Sequence, residues 1–566
     1  MSSRVKKLRK PDFQRATWAW TPEDCVLLLE SVIKGLVIPS IIMWYSSENG
    51  YDYVLDGGHR ISVIMAWLKN DWGDRLAPDQ FEDEAQVAKI RKAASQVRAL
   101  IETKIGNLDD YKAAADKFEQ IVQAGEEVPK KVLDERTFER AQFYVRLSKG
   151  SVGFHVLWVN GDYKTAEQSF LKINWSGKQL TEWERTLIKN RDSSFARAVM
   201  SIANIDSVEH YWPVIIPENE GSSELKQDVE EIIQGVSSIH NLLFKPAYQT
   251  KAVTRLRQPL MHIPERYKRP YQIAELLTII EGGKGQTAET EKLLSKDRDS
   301  SSEDIIASGK KLIDEALDSL NHLLGSSQTQ KSLSLVPALY FYTDIGRYVR
   351  SLLYGFIYWL LSGNYSSILN RKRIFSAHRA TFEQIIFNRQ EDVVTGFGRK
   401  TGSGPEVTAQ TAQYYQCVFE LLVKHHSQIE TDAFIEEYAE IISKLTNRRI
   451  TKPKTSDRKS RFFTSKQKSV KRLRTFIESA PKCGICGGIY DPASGLQDDH
   501  ILERWKGGKT IDDNQRLVHP FCNNDANRKI IESLKNGQES LKLPVFEAET
   551  EMRKQQLTFF DEFEFI

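Results

Sequence analysis

The spacing of apolar and polar residues changes period several times along this chain. In TPEDCVLLLESVIKG (residues 21–35) the apolar positions recur at helical intervals. Thr21 is placed to cap this helix, Pro22 to occupy its first position and Gly35 to end it. IIMWY and YDYVL then read as strands, joined by SSENG, whose Asn49-Gly50 is a hairpin signal. DGGHR (56–60) is a tight glycine turn, and ISVIMAWLK has the apolar run of a buried helix. Residues 75–150 are charged, alanine-rich and helical in period. VGFHVLWV predicts a strand and YKTAEQSFLKINW a helix. Residues 180–445 are predicted to be mostly helical. Loops are expected at PENEGSSELKQD, from EGGKGQTAETEK through KDRDSSSED, and at TGFGRKTGSGPE. No internal repeat is visible.

Length turns this string of elements into several domains, since 566 residues exceed what one hydrophobic core serves. A hydrophobic content of 40% with 27% charged residues is that of an ordinary globular protein. The start, MSSRVKKLRKPDF, has a basic run with no apolar stretch behind it and so does not read as a secretory signal. The most apolar region, Leu335 to Leu361, is broken by Asp344, Arg347 and Arg350. Its apolar runs fall short of the roughly 20 residues that span a bilayer, so buried helices and no membrane partner are expected.

Five cysteines are too few for a disulfide scaffold, and Cys483, Cys486 and Cys522 crowd together. That clustering predicts a metal site in a reducing compartment, the cytoplasm. A net charge of +3 is uninformative, but its distribution is not: residues 447–474 hold twelve Lys and Arg and one carboxylate, Asp457. Such a segment is either a solvated linker or a phosphate-attracting one; Lys471, Arg472 and Arg474 are its candidate DNA contacts.

Cys483 and Cys486 stand two residues apart, and His519 and Cys522 repeat that spacing. Four soft ligands in two such pairs suit a closed, tetrahedral, structural Zn²⁺ site. A module of about 55 residues needs such a clip, because it cannot bury much core. Between the pairs lie Asp499-His500, the glycines at 507–508 and Asn514, and Asn523 follows Cys522 directly. This pattern resembles the zinc-containing branch of the HNH (ββα-metal) nuclease family. The resemblance implies Asp499 and Asn523 as oxygen ligands of a catalytic Mg²⁺ or Mn²⁺ and His500 as the general base. It also implies that Asn514 braces the loop. Imidazole changes protonation near neutrality, which suits that task. Lys506, Lys509, Arg528 and Lys529 are candidate phosphate contacts. The family usually has cysteine where His519 stands; a catalytic role for His519 is the alternative to a Cys₃His site.

PDFQRATWAW, LLLESVIKGLVIPSII and VLDGGHRISVIMAWL form a second pattern, continued by Phe170, Asn174, Gly177, Leu180 and Glu184. It resembles the ParB/sulfiredoxin-like domain of GmrSD-type, modification-dependent restriction enzymes, whose motif reads approximately DGQQR. Here the turn is Asp56-Gly57-Gly58-His59-Arg60. A glycine turn entering a helix presents free N–H groups and a positive dipole end to an anion. Arg60 adds a forked cation, Asp56 is a candidate to hold Mg²⁺ or polarise water, and His59 to donate to a phosphate. The resemblance adds Gln14 and Arg15 to this nucleotide-binding set. Both family glutamines are replaced, by Gly58 and His59, which leaves nucleotide hydrolysis open.

The expected fold class is therefore multidomain α+β. An α/β sensing domain is expected at 1–210, with a helical insertion at 75–150. A helical domain follows at 211–445, then a basic linker at 446–476, a nuclease domain at 477–535 and an acidic aromatic tail at 536–566, expected to dock on the protein itself with a partner as the alternative. Joined, the two resemblances imply a DNA endonuclease controlled by an NTP-binding or modified-DNA-sensing domain, acting in antiphage restriction, with phage or modified DNA and a nucleotide as its partners. Self-association is a further expectation. The alternatives are a signal-released, toxin-like nuclease acting on host DNA and a nucleotide-dependent DNA-binding regulator with an inactive HNH fold.

Overall fold

In the computed structural model of the chain, the described residues are 8–9, 21–47, 50–72, 84–125, 129–153, 155–161, 165–166, 169, 182–205, 208, 211–213, 223–245, 258–263, 268–325, 330–343, 346–400, 404–446, 471, 475, 478–490 and 496–546. The chain divides into two compact units, residues 1–188 and 189–566.

The first unit is built on a mixed four-stranded sheet. Its strands are β1 (Leu8–Arg9), β2 (Ile41–Tyr45), β3 (Asp52–Asp56) and β4 (Val156–Val159), in the order β1-β3-β2-β4. β2 and β3 run antiparallel, while β1 lies parallel to β3 and β4 parallel to β2. Helix α1 (Pro22–Lys34) begins and ends where its sequence signals lie. Thr21 accepts the Asp24 amide and the Asp24 carboxylate accepts the Thr21 amide, while Gly35 closes the helix at φ 68°. Helix α2 (Gly58–Lys69) follows β3 directly.

The charged stretch after α2 forms α3 (Glu84–Lys104), α4 (Leu108–Ala124) and α5 (Glu135–Ser148). These helices share one core with α1 and α2, in which Leu29, Val63 and Trp67 meet Ile101, Tyr111 and Phe143. The Trp67 indole donates to the Gly106 carbonyl at 2.9 Å and meets the Tyr111 ring edge-on. Burial in this core pushes the Cys25 thiol up to about 11, so Cys25 serves as a small hydrophobe.

The second unit is mainly helical: α6 (Ser194–Ala203), α7 (Ser223–Phe244), α8 (Arg269–Ile280), α9 (Ser302–Leu324), α10 (Arg350–Leu361), α11 (Tyr365–Lys400), α12 (Pro405–Lys424) and α13 (Asp432–Thr446). Three expected loops are shorter than their polar composition suggests. α7 starts at Ser223 inside PENEGSSELKQD, a helix spans Thr287–Ser295, and α11 runs on through TGFGRK to Lys400. The physical reason is visible at two starts. The Ser301 hydroxyl accepts the Asp304 amide, and Glu289 accepts the Gln286 amide, so residues that look like loop chemistry are capping the first turns.

The apolar stretch around residue 350 is a buried helix. Nearly every residue of α10 is enclosed, Trp359 donates to Gln416 on α12, and Gly355 approaches Thr411 so closely that an added Cβ would lie 2.6 Å from the threonine Cβ. Among the described residues no helix is long and apolar enough to cross a membrane.

The cysteine-containing module belongs to this second unit. Its hairpin, β5 (Gln497–His500) and β6 (Gln515–Val518), is followed by α14 (Pro520–Asn523) and α15 (Asp525–Lys535). Beyond α15 the chain returns to the helices. Phe546 packs edge-on against Tyr358, the Pro544 carbonyl accepts from Gln416 and the Val545 carbonyl from Arg371. The expected docking segment LTFFDEFEFI lies outside the described residues, as does most of the basic stretch before the module.

Candidate functional site

The β5–β6 hairpin pairs Asp499 with Arg516 and His500 with Gln515. Between the strands, residues 501–514 form a long loop held by one side chain. Asn514 accepts the Leu502 amide at 2.7 Å and donates to the Leu502 and Lys509 carbonyls at 2.9 and 2.8 Å. The loop closes this tightly because residue 508 is glycine: a Cβ there would lie 1.8 Å from the Leu502 carbonyl oxygen. His500 projects beside this loop, with Nε2 3.1 Å from the Thr510 hydroxyl.

Asp499 is enclosed by cations. Its carboxylate accepts from Arg516 Nε at 2.8 Å and from Arg528 Nη1 at 3.4 Å. Arg528 is itself buried and shares its guanidinium with Glu503 and Asp525. An external phosphate contact, as expected for Arg528, does not fit this placement: three carboxylates already surround its charge. Lys506, Lys509 and Lys529 are exposed, and Lys471 lies on a helical turn with its side chain exposed; Arg472 and Arg474 fall outside the described residues. Asn523 lies at the end of α14, where its amide donates to Gln497 Oε1 at 2.9 Å.

Below the hairpin, Cys483, Cys486, His519 and Cys522 converge. All four are buried, and their ligand atoms lie within 4.8 Å of one another. Cys486 Sγ is 3.3 Å from His519 Nδ1, and the Gly488 amide donates to that sulfur. Three thiols and an imidazole in a buried cluster form a group that can hold a metal such as zinc. Burial, reinforced by Arg379, lowers the His519 pKa, which keeps the ring neutral and its lone pair available for a metal. Hydrogen bonds from Cys486 and Cys522 drive Cys483 towards the thiolate.

The cluster is gripped by helix α11. Arg379 and Glu383, one turn apart and both fully buried, form an ion pair at 2.8 Å. Glu383 accepts the Ile489 amide at 2.8 Å and the Tyr340 hydroxyl at 2.7 Å. Arg379 donates to the Ile489 carbonyl at 2.9 Å, to the Leu333 carbonyl, and reaches His519 Nδ1 at 3.3 Å. Two glycines after Cys486 permit this approach: a Cβ on Gly488 would lie 2.4 Å from Arg379 Cδ, and one on Gly487 3.4 Å from Ala380 Cβ. Nearby, the Phe521 amide donates to the Ser332 carbonyl, Arg373 donates to Asn527, and the Lys372 ammonium lies 4.2 Å from the Phe521 ring centroid.

In the first unit the DGGHR turn folds onto its own arginine. Gly57 takes φ 93°, and a Cβ there would lie 3.0 Å from Ile41 and 3.1 Å from Arg60 Nη2. That nitrogen donates to Asp56 at 2.7 Å and to the Ser40 carbonyl at 3.1 Å. Gly58 and His59 form the first turn of α2. Gln14, Arg15, Phe170, Asn174, Gly177 and Leu180 lie outside the described residues. Glu184 is on the helix Glu182–Lys189, its side chain outside them.

Residues 1–191 match the family described as the GmrSD restriction endonuclease, N-terminal domain. That match covers the sheet, the glycine turn and the helical insertion. No curated protein and no solved structure matches the chain.

Sequence reasoning missed Arg379, Glu383, Arg516 and Thr510. Two signals were present: an Arg and a Glu four apart among the apolar residues Ile374, Phe375, Phe382, Ile385 and Ile386, and a glycine pair directly after a CxxC.

Proposed function

We propose that the chain is a metal-dependent DNA endonuclease of a GmrSD-type restriction system, with residues 1–191 as its sensing domain and an HNH module as its cutting domain. The observation that carries the reading is the coincidence of a GmrSD-type N-terminal domain with a hairpin that carries Asp499 and His500 on one strand and leads from the other into a buried Cys₃His cluster.

In this reading zinc is structural, held by Cys483, Cys486, His519 and Cys522. The Asp499 carboxylate and the Asn523 side-chain oxygen are hard donors that would hold a hydrated Mg²⁺ or Mn²⁺, the ion taking lone pairs that Arg516 and Arg528 leave on the carboxylate. Such an ion would supply charge stabilisation at the scissile phosphate. His500 takes the proton from the attacking water, its ring positioned by Thr510. Asn514 keeps the loop in register with His500, and Arg516 orients Asp499 from the facing strand. Lys506, Lys509 and Lys529 contact the phosphate backbone, as do Lys471, Arg472 and Arg474 of the basic segment. In the sensing domain, Asp56, Gly57, Gly58, His59 and Arg60, with Gln14 and Arg15, form the site for a nucleotide.

The helices grip the module from its cysteine side, while Ile501, Leu502 and Trp505 beside His500 are exposed. That arrangement favours an output domain open to its substrate over a nuclease masked by the helical region. The test uses the purified full chain with modified and unmodified phage DNA, with Mg²⁺ or Mn²⁺ and with and without each NTP. Wild type cleaves; His500→Ala retains DNA binding and loses cleavage. Undiminished cleavage by His500→Ala sinks the assignment of the base, and absence of cleavage in every wild-type arm favours a DNA-binding regulator.

A further inference from the structure

The loop beside His500 carries a feature that neither metal binding nor packing explains. Trp505 is 77% exposed, on a short 3₁₀ turn, Arg504–Lys506, that ends at Gly507 with φ 91°. Large aromatics on a protein surface mark contact sites, since burying a tryptophan elsewhere is strongly favourable. The loop is not slack: Asn514 ties it at Leu502 and Lys509, on either side of the tryptophan. Ile501, Leu502 and Ile511 are also exposed and form an apolar shoulder in the same loop.

Charge identifies the partner. The Lys506 ammonium lies 4.6 Å from the Trp505 ring centroid, which orients the indole by a cation–π contact. Arg504 and Lys509 flank it and are exposed, giving three cations over residues 504–509 with no carboxylate among them. The preceding acidic residue, Glu503, is neutralised against Arg528. An aromatic ring framed by cations suits a nucleobase framed by phosphates.

We infer that Trp505 is the DNA-engaging tip of the module: its indole stacks on a nucleobase beside the cut, while Arg504, Lys506 and Lys509 hold the adjacent phosphates. The inference rests on the nuclease reading above. Stacking against a base requires partial unstacking of the duplex, so it positions the strand at His500 and favours DNA that is already distorted.

The test uses the full chain with no Mg²⁺ or Mn²⁺ added, so that cleavage is held back while zinc is kept, on duplex oligonucleotides carrying 2-aminopurine at successive positions, followed by cleavage after metal is added. Wild type is expected to raise 2-aminopurine fluorescence at one or two adjacent positions. Trp505→Ala should abolish that rise and lower cleavage about tenfold, in line with the loss of one base stack. Trp505→Phe should restore most of both, and Lys506→Gln should weaken binding and make its salt dependence shallower while keeping a fluorescence rise. If Trp505→Ala matches wild type in fluorescence and cleavage, the inference falls and the nuclease reading stands. If wild type neither binds nor cuts DNA, both fall.

Discussion

Glu383 accepts the backbone amide of Ile489 at 2.8 Å, and Arg379, one helical turn earlier, donates to the carbonyl of that same residue at 2.9 Å. A buried ion pair thus reads out one peptide of the cysteine knuckle as a strand partner would. Removing one member leaves the other buried without compensation, which typically costs about 3–5 kcal/mol. Glu383→Ala is therefore expected to lower the thermal midpoint of the second unit by several degrees. It should also speed zinc release to a chromogenic chelator. Gly488→Ala should do the same by steric means, because its Cβ meets Arg379 Cδ. Unaltered zinc retention in both variants would contradict the clamp.

Metal removal gives the second prediction. Elemental analysis should find one zinc per chain, and Cys486→Ser should reduce that content. Stripping zinc with a strong chelator should raise hydrogen exchange across residues 482–490 and 515–531, since apo clusters of this kind lose most of their folding energy. Exchange in α1 and α2 should not change. Protection that survives zinc loss would show that α11 alone holds the module.

Asn514 supplies the third. Three hydrogen bonds from one amide fix the loop beside His500. Displacing a reacting group by about 1 Å commonly costs on the order of 10²-fold in rate. Asn514→Ala should lower the rate of cleavage by that factor with DNA affinity nearly unchanged. Asn514→Asp keeps the acceptor for Leu502 and loses both donors, so it should not rescue. A variant with wild-type turnover would remove Asn514 from the positioning role.

A fourth prediction concerns pH. Burial pushes the Lys372 ammonium down to about 7, and the same enclosure lowers His322 to about 4. Lys372 Nζ lies 2.7 Å from His322 Nδ1, and Asp318, Lys331 and the Cys522 sulfur are the other charged or ionisable groups nearby. The folded protein gives up the lysine proton near pH 7, whereas the unfolded chain keeps it to the ordinary value of 10.5. Across that interval the unfolded state binds more protons, so this group makes stability rise with pH. Chemical denaturation at pH 7 and pH 9 should show the gain, and Lys372→Met should flatten it. Equal slopes in wild type and variant would refute the assignment.

The strand–turn–helix of the first unit was legible because its signals are local: Thr21 and Gly35 bracket one helix, and Gly57 occupies a conformation that suits glycine. The convergence of Cys483, Cys486, His519 and Cys522 was legible from spacing alone. What escaped is long-range. Arg379 reads as one more cation on a helix until the fold carries it 110 positions along the chain to Ile489. Arg528 looked like a surface cation because nothing local announces that Asp499 and Glu503 will fold against it. Polar stretches such as Ser301–Asp304 read as loop because capping and turn residues share a vocabulary.

The glycine pair at 487–488 has a consequence for anyone moving this module between proteins. Its cysteine face was shaped to accept the flank of one particular helix, and the Ile489 peptide has its partners there rather than in the module itself. A graft cut near residue 477 would carry an unfilled notch and two orphaned backbone groups into its new host. The transferable piece is longer: it reaches back past Tyr340 to Ser332, whose partners are Glu383 and the Phe521 amide, and a chimera that respects that border should express where the shorter cassette precipitates.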